Sequence, residues 1–383
     1  MKKRMIILGS TGSIGKSTIE VADGLRDEWE VVGLAAGSSA VDLAAQADKL
    51  RPGFLAIADE GAATELERAL NYAPTVFSGE DALVALVNAA DCECVVSAVV
   101  GTGGLKATLR AVELGRRVAL ANKEALVIAG SLVMPLAART GATVIPVDSE
   151  HSAVFQALQA GRTEDVRRIH LTASGGPFRT WSFDAMESAT VEDALRHPTW
   201  NMGPKITIDS ATMMNKALEI VEAKWLFGLG ADQIDVVIHP ESIVHSVVEF
   251  RDGSMIAQMG TPDMRTPIQY ALTYPARRTC PVSRLDLPSL GQLNFEPPDP
   301  ERFPAIELGH AVARRGGTAG AVLNAANETA VELFRAAAIG FLDIARHVER
   351  ALDEHDFVAA PGLSDLLEAD RWARGEVARC TAC

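Results

Sequence analysis

Short apolar runs separated by stretches of helical spacing fill the first part of the chain. Met5–Leu8, Val31–Ala35, Phe54–Ile57, Cys94–Ala98, Val118–Leu120 and Thr143–Val147 read as buried strands. Between them, Val41–Leu50, Ala62–Leu70 and Leu105–Leu114 repeat apolar residues at the interval of one helix face. That alternation predicts βαβ units and a mostly parallel, twisted sheet. The pattern breaks after Asp148. His170–Ser174, Lys205–Ile208, Val236–His239, Ile243–Phe250 and Ser254–Met259 are strand-like, and Glu150–Gln159 and Ala211–Leu226 are helical, as expected of an α+β domain. Asp252-Gly253 suits a hairpin turn, because the pair tolerates positive φ. Prolines 281, 288, 297, 298, 300 and 304 crowd an aperiodic segment that reads as an extended linker. Beyond Ala305 the pattern is helical and alanine-rich, without a convincing strand. The expected fold is therefore α/β: an N-terminal Rossmann-like parallel sheet over 1–148, a central α+β domain over 149–274, a linker over 275–304 and a C-terminal helical domain over 305–383.

Composition narrows the partners. A chain of 383 residues with 48% hydrophobic and 22% charged content is ordinary for a globular protein of two or three domains. A net charge of −14 argues against nucleic acid or an anionic membrane, but not against a small anion held by local donors. No stretch is long and apolar enough to span a bilayer, and the run after Met1-Lys2-Lys3-Arg4 stops at Gly9, too short for a signal segment. Five scattered cysteines, including Cys380 and Cys383, read as free thiols in a reducing cytoplasm.

Gly9-Ser10-Thr11-Gly12-Ser13-Ile14-Gly15 follows the first strand and opens a helix, where glycines admit a pyrophosphate to the helix N-terminus. A P-loop would need glycine where Ser10 stands, so the spacing is GxxGxxG, a dinucleotide-binding variant found in many NADP-binding domains. Gly37-Ser38-Ser39, beyond the second strand, carries no acid to reject a 2′-phosphate and two hydroxyls to receive one; the bland alternative is a helix cap. Asn122, Lys123 and Glu124 follow the strand ending at Leu120, where the outer two could touch nicotinamide or ribose and Lys123 a reacting substrate; the alternative is a cap and an exposed pair.

Asp148-Ser149-Glu150 stands where another strand surfaces. Two carboxylates there, with Glu219 as a third, offer the oxygen donors a hard divalent ion prefers. Asp209-Ser210 reads as the cap of the helix Ala211–Leu226, with Asn215 and Lys216 further in to meet an anion and Glu219 on the face of Asn215; an exposed Lys216–Glu219 pair is the plain alternative. His197 to Pro204 is a loop bounded by prolines and a glycine, and Trp200 and Met202 could close it over a substrate. Trp200 could equally be a fixed apolar plug. His239 and His245 read as satisfied or supporting histidines, and Met213, Met214 and Met264 as core.

These motifs together resemble the 1-deoxy-D-xylulose 5-phosphate reductoisomerase family. The resemblance rests on GSTGSIG (9–15), ANKEALV (121–127), VDSEHSA (147–153), LTASGGPF (171–178), HPTWNMGPKITIDSATMMNKALE (197–219), GTPDMRTPI (260–268) and LNAANE (323–328), and so covers essentially the whole chain. It implies a homodimer using NADPH and a divalent metal, Mg²⁺ or Mn²⁺ with Co²⁺ as a further candidate. The reaction implied is rearrangement and reduction of a phosphorylated hydroxyketone to 2-C-methyl-D-erythritol 4-phosphate. It implies metal ligation by Asp148, Glu150 and Glu219, and substrate contacts from Lys123, Ser149, Glu150, Ser174, His197, Ser210, Asn215 and Lys216. Cofactor contacts are implied for Thr11, Gly12, Ser13, Ile14, Asn122, Glu124 and Gly203. Members often carry a basic residue and an asparagine near positions 38 and 39, where this chain has two serines. The rivals are a metal-free Rossmann dehydrogenase and a silent NADPH sensor.

Overall fold

The computed structural model describes residues 1–200 and 202–379, so Asn201, Cys380 and Cys383 lie outside the described residues. Two compact units form. The first is Met1–Ala125, Val133–Ser152 and Asp263–Ser283; the second is Leu126–Leu132, Ala153–Pro262 and Arg284–Cys383. The division expected from sequence was contiguous and differs from this grouping. Residues 263–283 return to the first unit, where Arg117 donates to the carbonyls of Leu272 and Tyr274 and Arg278 pairs with Glu28.

The first unit holds a seven-stranded sheet: β1 (Lys3–Leu8), β2 (Trp29–Ala36), β3 (Phe54–Ile57), β4 (Thr75–Ser78), β5 (Cys94–Ser97), β6 (Arg117–Leu120) and β7 (Val144–Pro146). Its order is β4-β3-β2-β1-β5-β6-β7 with every pairing parallel, so all carboxyl ends lie along one edge and the strand order reverses at β1. The central runs Met5–Leu8 and Leu34–Ala36 are buried on both faces, as a doubly covered parallel sheet requires. Strand β4 escapes a hydrophobicity reading because it is a half-exposed edge.

The second unit carries β8 (Val166–Ala173), β9 (Ile234–Ile238), β10 (Val244–Phe250) and β11 (Met255–Met259) in the order β11-β10-β8-β9, with β8–β9 parallel and the other pairs antiparallel. The Asp-Gly turn joins β10 to β11, with Gly253 at φ +85° and Asp252 accepting from the Ser254 amide. Ala305–Arg315, Ala319–Arg335, Asp343–Glu354 and Leu363–Arg379 are the helices of the C-terminal region. The proline-rich segment is not wholly extended linker: it holds a short helix, Leu287–Leu290, and Glu296 bridges to Ile238.

One expected strand is a helix. Lys205–Ile208 lies inside the helix Pro204–Ala211, which starts with proline at its first turn behind Gly203. Ala211–Leu226 is likewise not continuous, because Met213 at φ +61° separates Pro204–Ala211 from a second helix, Met214–Phe227. The apolar sequence of Ile206, Ile208 and Ala211 mimics a strand over so short a span. Met213 and Met214 are core as expected, while Met264 is only half-buried.

Candidate active site

In the first unit, the glycine loop leaves β1 at Leu8. Gly9 has φ +82°, and a Cβ there would lie 2.4 Å from the Ala98 carbonyl oxygen; one on Gly15 would lie 2.3 Å from that of Gly9. Both positions therefore exclude any larger residue. Thr11 follows, Gly12 is the N-cap, and Ser13 and Ile14 open the helix Ser13–Gly24. No side chain caps this helix, which leaves its first N–H groups free to face an anion.

Gly37, Ser38 and Ser39 are exposed just beyond β2. Ser39 occupies the N-cap position of the helix Ala40–Leu50 but makes no capping hydrogen bond through its side chain.

Beyond β6, Asn122 does cap, accepting from the Ala125 amide at 2.8 Å, and its amide nitrogen donates to the Val99 and Gly101 carbonyls. The expected alternative of an exposed pair fails, since Glu124 is 6% exposed and the Lys123 side chain 12%. Lys123 Nζ lies 2.6 Å from Asp148 Oδ2, joining the ends of β6 and β7. Ser149 and Glu150 begin the helix Ser149–Ala157, and the Ser149 hydroxyl donates to the Glu150 carboxylate. Acids in a first helical turn are favoured by its dipole.

In the second unit, another polar cluster gathers at the end of β8. Ser174 Oγ is 3.1 Å from His197 Nε2. His197 Nδ1 accepts from the amides of Thr199 at 3.1 Å and Trp200 at 2.9 Å. That assignment leaves the proton on Nε2, so the ring donates toward Ser174. Burial holds this imidazole below its ordinary pKa, and it stays neutral. Trp200 and Met202 are half-buried in the loop and Gly203 is exposed.

Gly176 sits at φ +66°, and a Cβ there would come 2.6 Å from the Ser210 carbonyl oxygen. This close approach brings the loop after β8 against the end of Pro204–Ala211. Ser210 therefore lies in the last turn of a helix, not at the N-cap expected, and the argument from a positive helix end does not hold for it. Lys216 Nζ donates to the Thr172 carbonyl at 2.6 Å and pairs with Glu219 Oε2 at 2.5 Å, while Asn215 Nδ2 donates to Glu219 Oε1 at 2.6 Å. The plain alternative was an exposed ion pair; the pair exists, but its side chains are 3% and 1% exposed.

Sequence reasoning missed the support beneath this cluster. Asp209, 1% exposed, accepts from Lys205 at 2.8 Å and from Asn327 Nδ2 at 2.8 Å, which fixes the turn that carries Ser210. Two asparagines on the buried alanine-rich helix Ala319–Arg335 were the available signal, because a buried amide needs a partner. His239 is a satisfied core histidine: Nδ1 lies 2.8 Å from the Asn294 carbonyl and Nε2 accepts from the Ile243 amide. Cys92, Cys94 and Cys280 are free; burial pushes the Cys92 thiol up to about 11 and Cys94 to about 12, which leaves both unreactive near neutrality.

The donors fit a hard divalent cation. Asp148 and Glu150 in the first unit and Glu219 in the second carry carboxylates, the donor type such a cation prefers, and Asp148 and Glu219 each pair with a lysine in low-exposure surroundings.

Comparison with known proteins covers nearly the whole chain. Family models match three stretches: "1-deoxy-D-xylulose 5-phosphate reductoisomerase" over 5–130, its "C-terminal domain" over 144–227, and "DXP reductoisomerase C-terminal domain" over 259–376. A 1-deoxy-D-xylulose 5-phosphate reductoisomerase of Pelotomaculum thermopropionicum is 51% identical over 374 residues, covering 97% of each chain. That of Heliobacterium modesticaldum is 52% identical and covers 98% of this chain and 96% of its own. Among solved structures, the Zymomonas mobilis reductoisomerase in complex with NADPH superposes with a TM-score of 0.94 at 44% identity, covering 100% of this chain and 99% of that one. A DOX-P reductoisomerase in complex with NADPH, fosmidomycin and magnesium gives 0.93 at 40% identity, covering 99% and 98%.

Proposed function

Because the chain belongs to the 1-deoxy-D-xylulose 5-phosphate reductoisomerase family, we propose a division of labour among its residues for that reaction. The protein is an NADP-dependent oxidoreductase that converts 1-deoxy-D-xylulose 5-phosphate to 2-C-methyl-D-erythritol 4-phosphate, with NADPH and a divalent metal, in the methylerythritol phosphate pathway.

The observation that carries the residue assignment is the Lys123–Asp148 pair at the carboxyl edge of the parallel sheet, on the edge that also bears the glycine loop. In this reading Asp148, Glu150 and Glu219 hold the metal, which supplies stabilisation of the negative charge that develops on the hydroxyketone oxygens. Ser149 hydrogen-bonds that end of the substrate. Lys123 adds a fixed cation beside it, screened little by solvent because its side chain is 12% exposed. Ser174, His197, Ser210, Asn215 and Lys216 hold the phosphate, with His197 donating through Nε2. Trp200 and Met202 close the loop and exclude water, so the reacting carbon meets the cofactor rather than solvent. Thr11, Gly12, Ser13 and Ile14 take the pyrophosphate; Asn122, Glu124 and Gly203 contribute to the cofactor cradle; Gly37, Ser38 and Ser39 take the 2′-phosphate. Asn122 acts there by shaping the loop after β5, to which its amide is already committed.

Finer properties follow the same reading. The protein works in the cytoplasm, accepts Mn²⁺ as well as Mg²⁺, and pairs with a second copy of itself. An edge strand, β11, that exposes Met255 and Ile256 supports the pairing, since such edges are normally covered. No helix among the described residues is long and apolar enough to cross a membrane. The deciding assay is NADPH oxidation on adding 1-deoxy-D-xylulose 5-phosphate, with Mg²⁺, with Mn²⁺ and with chelator. Turnover in the first two and none in the third is expected. Chelator-resistant turnover would remove the three carboxylates from the mechanism.

A further inference from the structure

We propose that Lys16 is the cation that selects the 2′-phosphate of the cofactor. The inference rests on the reading that Gly37, Ser38 and Ser39 receive that phosphate. In an open parallel sheet the adenosine ribose lies beyond the carboxyl end of the second strand, and a cation there separates NADP from NAD. At that end this chain presents exposed Gly37, Ser38 and Ser39, and the Ser39 side chain makes no capping bond. Two hydroxyls and the Val41 and Asp42 amides can donate to a phosphate, the Ala40 amide being taken by the Ser38 carbonyl, yet none of these donors is charged. The first turn of the same helix also carries an acid, Asp42, which repels a dianion. The loop alone therefore lacks a charge to balance its ligand.

Lys16 supplies one from the neighbouring helix. It follows Gly15 on Ser13–Gly24, and its ammonium lies 3.4 Å from Asp42 Oδ2, with the two side chains 58% and 55% exposed. This contact carries a cation from the glycine-loop helix to the first turn behind Ser39. The frame around it is independent of the lysine: Gln46 Nε2 donates to the Ser10 carbonyl at 2.9 Å, and the Gly9 and Ser10 amides donate to the Ala35 carbonyl at 2.9 and 2.8 Å. An exposed pair of that length is weakly held. A phosphate with more charge than a carboxylate displaces Asp42 as the partner, and only the lysine side chain has to turn. Asp42 then parks Lys16 beside the site when the cofactor is absent.

The test is calorimetric binding of NADPH, NADH, adenosine 2′,5′-bisphosphate and 5′-AMP to the full chain and to Lys16→Ala, Lys16→Arg, Asp42→Asn and the double variant Ser38→Ala/Ser39→Ala. Lys16→Ala is expected to weaken NADPH and the bisphosphate by about tenfold while NADH and 5′-AMP stay within about twofold. Lys16→Arg restores most of the loss, and Asp42→Asn tightens NADPH. Equal weakening of both dinucleotides in Lys16→Ala would overturn the inference, because Lys16 would then serve the shared pyrophosphate or the helix. No weakening of either would overturn it as well. The serine variant judges the underlying reading separately: an unchanged NADPH-to-NADH ratio there removes the phosphate from Ser38 and Ser39, whatever the Lys16 arm shows.

Discussion

The sheet edge of the first unit and the polar cluster of the second place their groups by different means. Along the edge, each group follows its own strand: the glycine loop β1, the serines β2, Asn122 to Glu124 β6, and Asp148 β7. Gly37, Ser38 and Ser39 face solvent. In the second unit the groups are braced against one another below the surface. Lys216 ties the Thr172 carbonyl to Glu219, Asn215 adds a second bond to Glu219, and Gly176 presses against the Ser210 carbonyl. A site laid along strand ends can lose one member and keep its scaffold. A site cross-braced in the core holds its ligand groups and its fold with the same bonds.

The largest effect expected from that contrast is at Lys216. Lys216→Met removes the ammonium paired with the buried Glu219 carboxylate and is expected to cost about 3–5 kcal/mol, read from urea midpoints in metal-free buffer. Ser38→Ala, on the open edge, is expected to cost no more than about 0.5 kcal/mol. Equal midpoints for the two variants would break the comparison. Next is a glycine pair. Gly176→Ala meets both a left-handed φ and the Ser210 carbonyl, and is expected to cost about 2–3 kcal/mol. Gly37→Ala has nothing within 4 Å of the new Cβ and should be nearly silent in the same measurement.

His197 sharpens the comparison at the level of the ligand. His197→Ala removes the donor proposed for the phosphate, so KM is expected to rise about tenfold with kcat little changed. A loss confined to kcat would place the residue in the chemical step instead.

The smallest effect is acid sensitivity. Burial lowers the pKa of His197, His347 and His355, all in the second unit. Between the ordinary value of about 6.5 and the lower folded value, the unfolded chain binds protons that the folded chain refuses. The stabilisation is complete above about 6.5 and is lost as pH falls through the folded pKa. Thermal midpoints at pH 7.5 and 5.5 should differ by about 2 °C more in the wild-type protein than in His355→Asn. Protonating His197 also removes the acceptor used by the Thr199 and Trp200 amides, which loosens the start of the loop.

Much of the edge is legible in the chain because a buried parallel strand announces itself as a short apolar run and its carboxyl end follows directly. Gly9 to Gly15, Asn122 to Glu124 and Asp148 to Glu150 were placed in this way. Strand β4, half-exposed, had no such run to show. The second cluster was legible only as motifs. Asn215 and Glu219 share a helix face at four-residue spacing, and their bond follows from helix geometry.

Local sequence thus determined the parallel sheet, the glycine loop and the helix faces, because their signals lie within one element and follow its period. Tertiary structure decided the rest. It broke Ala211–Leu226 at Met213, turned Lys205–Ile208 into helix, buried the Lys216–Glu219 pair and joined Asn327 to Asp209 across 118 positions of chain. Each of these depends on which distant group arrives to balance a charge or fill an amide, and no period along the chain records that.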